Sequence, residues 1–221
     1  MSTYTAIIIE PRRHKALPFV LNNFLNNLSD EWNIIIFHGN CNIDYVKNSV
    51  NNLEKKDRIN LVNLNINNLN HITYSNLFLS TGFYNYIPTE TFLVFQTDSM
   101  ILEKNKALIN DFLKYDYVGA PWKDGSVGNG GLSLRKKSKM LEILNSKWPR
   151  NGNEDIYFSY NIDKNIIYNL PDYNTAKMFS VETVFYESPF GIHNCWNHLK
   201  KEDTTFLINT YSEIQDLINL Q

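Results

Sequence analysis

Short apolar runs and amphipathic stretches alternate through the first hundred residues. Tyr4 to Ile9 is β-branched and stops at Glu10-Pro11, which predicts a buried strand. Leu17, Val20, Leu21, Phe24, Leu25 and Leu28 fall at helical spacing, so the next element is a helix over 17–28. Asn33 to His38 reads as a second buried strand, closed by Gly39-Asn40. Ile43, Val46, Val50 and Leu53 mark a second helix, and Ile59 to Leu64 a third strand. Asn76 to Tyr84 reads as a helix. Thr91 to Phe95 is a fourth strand that runs directly into Gln96-Thr97-Asp98.

Strand alternating with helix predicts an α/β domain with a mostly parallel sheet and right-handed crossovers. Such sheets bind ligands beyond the carboxyl ends of their strands. Glu10-Pro11-Arg12 and Gln96-Thr97-Asp98 both lie at such ends, so two polar segments are expected to converge on one cleft. After Asp98 the rhythm changes. Met100 to Leu102 and Tyr117-Val118-Gly119 read as short strands, and Lys106 to Leu113 as a helix. The loop Ala120-Pro121-Trp122 precedes Gly128-Asn129-Gly130-Gly131, a strand from Leu132 to Leu134 and a helix to about Asn145. Asn153-Glu154-Asp155 opens a helix through Tyr160. The tail from about Ala176 is rich in aromatics and ends in a helix near 214–220. No repeat or flexible linker interrupts the chain, so 1–221 is expected to be one domain in two halves, 1–99 and 100–221.

Composition narrows the class. Hydrophobic residues make up 43% and charged residues 20% of the 221, which is ordinary for a globular domain. Asparagine is about one residue in seven, spread through periodic segments rather than gathered in a tract. The formal charge is -2. The densest basic cluster, Arg135-Lys136-Lys137-Ser138-Lys139, lacks interleaved aromatics and reads as a solvated helix face, with Arg135 the member that can face an anionic ligand. Nucleic acid is therefore not an expected partner. Cys41 and Cys195 form no disulfide or zinc pattern. No apolar run is long enough to span a bilayer and Met1 to Thr5 has no leader character, which gives a cytoplasmic expectation (host cytoplasm for a viral chain).

The candidate chemistry is held in a few segments. Asp98 stands just past a buried strand. It can hold a divalent cation against a diphosphate, or cap the following turn. The glycines of 128–131 can admit a ligand to the backbone, or simply turn the chain. Glu154 and Asp155 can cap a helix, or one can act as a general base; adjacent helix positions diverge by about 100°, so only one can point into a cleft. His193, in Pro189-Phe190-Gly191-Ile192-His193, reads as part of a shaped loop and can ligate a metal or contact phosphate. His198 reads as surface. Trp122 can stack on a sugar or pack in the core.

In this order the segments Ile9-Glu10-Pro11-Arg12, Phe95-Gln96-Thr97-Asp98-Ser99, Tyr115 to Trp122, Gly128 to Arg135, Asn153-Glu154-Asp155 and Pro189 to His193 are more specific together than any one alone. The set resembles a family of short glycosyltransferase-like domains of bacteria, fungi and large DNA viruses, long described only as a domain of unknown function. The resemblance implies the glycosyltransferase A fold, with 1–99 as the nucleotide-binding half and 100–221 as the acceptor-binding and catalytic half. In that fold an Asp-x-Asp motif binds manganese and the diphosphate of a nucleotide sugar. Here Gln96 stands at the first acidic position, so Asp98 is the sole carboxylate expected on Mn²⁺ or Mg²⁺, with His193 as its partner. The resemblance further implies that Glu10, Pro11 and Arg12 contact the nucleotide of a UDP-sugar donor, and a glycan or glycolipid acceptor is expected opposite it; Gln96, Thr97, Asp98, Asn129, Gly130, Gly131 and Trp122 are the further residues expected on the donor. Asp155 is the expected base of an inverting hexosyl or deoxyhexosyl transfer, with Glu154 beside it. The Gln96 departure keeps two alternatives open, a metal-independent or retaining transferase and a non-catalytic nucleotide- or sugar-binding module.

Overall fold

The alternating first hundred residues build a parallel sheet. The computed structural model describes residues 2–146, 149–150, 152–160 and 165–221. In it β1 (Tyr4–Ile9), α1 (Leu17–Asn27), β2 (Trp32–His38), α2 (Ile43–Asn51), β3 (Ile59–Asn63), α3 (His71–Phe78) and β4 (Thr91–Phe95) follow one another. β1 lies between β2 and β4, and β3 lies outside β2, all parallel. The chain continues through β5 (Ser99–Ile101), α4 (Ile109–Phe112), β6 (Tyr117–Gly119), β7 (Leu132–Lys136), α5 (Lys137–Leu144) and α6 (Glu154–Tyr160). It ends with α7 (Tyr173–Phe179), β8 (Ser180–Val181), β9 (Gly191–His193), α8 (Lys201–Thr210) and α9 (Glu213–Ile218). β7 is antiparallel to both β4 and β6, which completes a six-stranded sheet in the order β3-β2-β1-β4-β7-β6. The expected mostly parallel sheet flanked by helices is what forms.

Why β1, β2 and β4 read as near-continuous apolar runs follows from their burial on both faces. The pleat sends Ala6 and Ile8 of β1, with Leu93 and Phe95 of β4, to one face. Ile7, Ile9, Phe92 and Val94 go to the other. α1 covers the first face with five buried side chains, among them Phe24, whose ring stacks on Phe95 at 3.9 Å between centroids. Each such burial contributes roughly 1.5–3 kcal/mol. That packing holds α1, because Ala16 supplies no side-chain cap; Pro18 is tolerated because it sits in the first turn. Phe78, Met140, Ile143 and Phe158 cover the second face from α3, α5 and α6.

Two expected helices are displaced. The stretch expected over 76–84 is α3, which starts earlier, and a separate 3₁₀ segment at Thr81–Tyr86. The start is set by a capping box. Asn70 Oδ1 accepts from the Thr73 backbone N–H at 2.9 Å, and Thr73 Oγ1 accepts from the Asn70 N–H at 2.9 Å. Apolar periodicity does not register such a polar signal. The helix expected over 106–113 is a 3₁₀ segment, Glu103–Leu108, followed by the single turn of α4. Only Ile109 and Phe112 of that stretch are buried, which is too narrow a stripe to sustain a longer helix.

The topology itself makes a crevice. β1 leads outward to β2 and β3, and the chain then returns to place β4 on the other side of β1. The strand order reverses between β1 and β4, and ligands of open α/β sheets bind beyond the strand ends at such a point. A second sheet, β5-β9-β8, stands just past the end of β4.

Candidate functional site

Glu10 follows β1 and Gln96 follows β4, so both polar segments open onto the crevice. Glu10, Arg12, Gln96 and Asp98 line a cavity of about 290 Å³ together with Asn70 and Tyr74 from α3 and the residue before it. The buried Glu10 carboxylate accepts from Arg12 Nε at 2.8 Å and Nη2 at 2.7 Å, and also from the Arg12 backbone N–H. The Arg12 guanidinium is raised above its ordinary value by this hydrogen bond. It is held in place while its outer edge stays exposed. A second cavity, of about 280 Å³, adjoins the first and contains Asp155, Gly130, Glu182 and His193. His71, Tyr74, Gln96 and Asp98 line both. The two cavities therefore form one cleft with those four residues at its waist, and each part is near the lower end of ligand-pocket size.

The small second sheet puts an imidazole between two carboxylates. β5 pairs antiparallel with β9, which sets Ser99 opposite His193. β8 pairs parallel with β9, with Val181 opposite Ile192. Asp98 precedes the first pairing and Glu182 follows the second, so His193 is flanked on both sides. Its Nε2 is 3.4 Å from Asp98 Oδ1 and 3.2 Å from Gln96 Oε1, and its Nδ1 is 3.2 Å from Glu182 Oε1. The ring is buried, and burial alone would lower its pKa. Asp98 and Glu182 outweigh that effect, and His193 is pushed up to about 9. Burial likewise works to raise the Asp98 carboxyl, but His193 holds it below the ordinary value. The Asn194 backbone N–H donates to the Asp98 carbonyl at 2.8 Å and fastens the two segments together.

This donor set fits a divalent cation. A carboxylate oxygen, an amide oxygen and an imidazole nitrogen approach one another at Asp98, Gln96 and His193; the two oxygens suit Mn²⁺ or Mg²⁺, and the imidazole is a further transition-metal ligand. Among the described residues no group of three or more His, Cys, Asp or Glu is arranged to hold a metal ion. The Gln96 amide is thus the third protein donor within reach, where sequence reasoning expected only two. The Gln96 Nε2 donates to the Tyr74 hydroxyl at 3.0 Å, which keeps its oxygen turned to His193.

The glycines at 130 and 131 leave space for side chains. A Cβ on Gly131 would lie 2.1 Å from the His193 ring, and one on Gly130 would lie 2.6 Å from Glu154 Oε1. Gly128 has φ +133°, which side-chain-bearing residues rarely adopt, and its carbonyl accepts from the Tyr117 hydroxyl at 2.7 Å. Asn129 Oδ1 accepts from the Gly131 N–H at 3.0 Å. The loop is therefore a bed for His193 and for the start of α6.

Arg135 corrects the reading of the basic cluster. It is fully buried in β7, not on a solvated helix face, and the helix begins only at Lys137. Alternation along Leu132 to Lys136 turns Arg135 inward, between the rings of Phe78 at 4.7 Å and Tyr117 at 4.9 Å. It pairs with Glu154 through Nη1 at 2.6 Å and Nη2 at 3.1 Å. Burial works against its charge, but Glu154 and the neighbouring tyrosines outweigh that and raise its pKa. The Glu154 carboxylate is thus committed to Arg135 at the first position of α6. Asp155 turns the other way. Its Oδ2 accepts from the Gly130 N–H at 3.3 Å and its Oδ1 from the Ile156 N–H at 2.8 Å.

Other expectations separate from the cleft. Trp122 is half-buried in a turn where its backbone N–H donates to the Ser126 carbonyl at 2.8 Å, and it lines neither cavity. A stacking role at the cleft is not what its position offers. His193 ends a strand rather than sitting in a loop, and His198 is exposed as expected. Sequence reasoning missed Glu182, His71 and Tyr74. None lies in a motif, and Glu182 reaches the site only through the β8–β9 register. The Asn70–Thr73 capping pattern was the one available signal for the α3 residues.

A profile of the family described as "Protein of unknown function (DUF5672)" matches residues 58–193. The chain belongs to this family. The match takes in Gln96, Asp98, Asp155, Glu182 and His193. Among curated proteins no sequence matches. Solved structures do. The galactosyltransferase LgtC, solved with donor and acceptor sugar analogues, superposes with a TM-score of 0.58 over 98% of this chain and 96% of its own, at 11% identity. An active-site mutant of the same enzyme gives 0.57 over 96% and 95%, at 13% identity. The mannosyltransferase PcManGT of Pyrobaculum calidifontis, solved with GDP-Man and Mn²⁺, gives 0.52 over 69% of this chain, at 13% identity. The chain spans about half the length of that enzyme, 49%. These likenesses give the family member the glycosyltransferase A fold. Among the described residues no helix is long and apolar enough to cross a membrane.

Proposed function

We propose that this chain is a glycosyltransferase that moves a hexosyl or deoxyhexosyl unit from a nucleotide sugar, a UDP-sugar in this reading, to a hydroxyl of a glycan or glycolipid. The observation that carries the proposal is the two-part cleft, with Asp98, Gln96 and His193 at or beside its waist and Asp155 in its second part. A nucleoside needs the first part, walled by Glu10, Pro11 and Arg12. A transferred sugar and an acceptor need the second. The diphosphate between them has to pass the waist. Residues 1–99 thus supply the nucleotide side, and 100–221 most of the acceptor side.

Asp98 and His193 would hold Mn²⁺ or Mg²⁺ there, with Gln96 as a neutral donor. When bound, such an ion offsets the charge that develops on the departing diphosphate. The protein's own contribution is positioning and proton transfer. Arg12 lies at the nucleotide end. Asp155 accepts the proton of the acceptor hydroxyl as that oxygen attacks the anomeric carbon, opposite the breaking bond to the diphosphate oxygen, with inversion. The glycine loop keeps Asp155 and His193 facing the same cavity.

A thermal-shift screen of nucleotide sugars with and without Mn²⁺ tests the proposal. A ligand that binds only the native state raises its stability. We expect a UDP-sugar to raise Tm more with Mn²⁺ than without, and the same compound to be slowly hydrolysed to UDP. Binding without any hydrolysis or transfer would instead make the chain a nucleotide-sugar-binding module. Gln96 favours a second reading, transfer without a metal, since a full pair of carboxylates is missing; full activity in excess EDTA would select it.

A further inference from the structure

We propose that Glu182 is a positioning residue, which fixes the tautomer and orientation of His193 so that Nε2 is presented beside Asp98. The inference rests on the metal site proposed above and concerns a residue outside every motif in the sequence. Its first support is the contact. Glu182 Oε1 is 3.2 Å from His193 Nδ1, and both residues are buried. Nδ1 has no aligned hydrogen-bond acceptor among the described residues, so the N–H direction lies off the line to the carboxylate. A small rotation of either group completes the bond. Burial makes that completion matter, because an unpaired buried polar group costs free energy.

Its second support is what surrounds the pair. The ring lies against Gly131, where even a methyl group would collide at 2.1 Å. One face of the imidazole is thus backed by the Gly131 backbone, which restricts the χ2 rotation that would turn the ring. Glu182 sits on the Nδ1 side, and Asp98 and Gln96 sit on the Nε2 side. The two ring nitrogens point apart, so Glu182 is badly placed to share an ion with Nε2. It is well placed to accept a hydrogen bond from Nδ1–H. A histidine bound to metal through one nitrogen generally donates the other N–H to a carboxylate or carbonyl, which fixes the tautomer and raises the basicity of the ligating nitrogen.

The third support is that no other ion pair of Glu182 is seen among the described residues. A carboxylate buried without a cation is expensive. Among the described residues His193 is the partner that offsets this cost, so the Glu182 carboxylate is committed to the imidazole.

The test measures binding. Mn²⁺ is titrated calorimetrically into wild-type protein, Glu182→Gln, Glu182→Ala, Asp98→Ala and His193→Ala, without nucleotide sugar. We expect Glu182→Ala to weaken Mn²⁺ by about 10–100-fold, and Glu182→Gln less, because its amide oxygen still accepts from Nδ1. UDP affinity in EDTA should stay within about twofold in both Glu182 variants. Should Mn²⁺ affinity fall in Asp98→Ala and His193→Ala but not in Glu182→Ala, the positioning role is wrong and the metal site stands. Absence of Mn²⁺ binding by the wild-type protein would overturn the site and the role together. A variant that fails to fold is bypassed by ¹⁵N NMR of wild-type His193 with Mg²⁺. Protonation at Nδ1 alone is expected, and a proton at Nε2, alone or together with one at Nδ1, would overturn the proposal.

Discussion

His193 Nε2 lies 3.4 Å from Asp98 Oδ1, joined across the β5–β9 pairing. A metal taken up there has one carboxylate among its protein donors. Removing that carboxylate leaves a neutral amide and an imidazole, a poor set for a hard cation. Asp98→Ala should therefore weaken UDP binding in Mn²⁺ by at least about tenfold, the lower end of what loss of a supporting residue costs. UDP binding in EDTA should be unchanged. Calorimetry under both conditions reads the difference, and equal affinity of variant and wild type in Mn²⁺ would remove Asp98 from the metal site.

Gln96 gives a gain-of-function prediction. Its oxygen is 3.2 Å from His193 Nε2, so Gln96→Asp puts a charged oxygen near the place the amide oxygen serves now. A carboxylate is a stronger ligand for Mn²⁺ than an amide, and hydrogen bonding to the Tyr74 hydroxyl can survive with Tyr74 as donor. The shorter aspartate side chain works against full reach. Tighter Mn²⁺ binding than wild type is expected in a titration without nucleotide. Weaker binding would mean that Gln96 is held for its Tyr74 contact and not as a donor.

The Arg135–Glu154 pair is buried on both sides, with side-chain exposures of 0% and 5%. Breaking such a pair from one end leaves an uncompensated charge and costs about 3–5 kcal/mol. Glu154→Ala should therefore lower stability by that amount in urea unfolding. Arg135→Met together with Glu154→Leu should recover much of it, since both charges are then gone. A Glu154→Ala protein of normal stability that has lost all transfer would reverse the assignment and make Glu154 the base.

The first half of the fold was legible because β1, β2 and β4 are buried on both faces. Tyr4 to Ile9 and Thr91 to Phe95 carry their signal in every residue, and both strands form at those limits. α3 was misplaced because polar capping by Asn70 and Thr73, not apolar spacing, decides where it starts. Gln96, Asp98, Asp155 and His193 were found as segments in order, and the cleft brings them together. Arg135 was misread because a run of basic residues on a strand looks like a basic helix face until the pleat is known. Glu182 was invisible for a deeper reason. Its partner is chosen by the register of the two-residue strand β8 against β9, and no local pattern encodes that register.

Asp155 and Glu154 are neighbours in sequence and opposites in setting. Glu154 is spent on Arg135, while Asp155 accepts, among the described residues, from two backbone N–H groups, those of Gly130 and Ile156, and faces the cavity that also holds His193. Each carboxylate oxygen keeps a lone pair for an acceptor hydroxyl. Asp155→Asn preserves shape and the backbone contact at its remaining oxygen, yet it cannot take a proton. Loss of a general base lowers turnover by about 10²–10⁴-fold. We expect kcat for sugar transfer to fall in that range, with UDP affinity within about twofold of wild type, because the nucleotide end of the cleft is untouched. Normal turnover in Asp155→Asn would exclude it as the base and turn attention to a retaining mechanism, which the anomeric configuration of the product would identify.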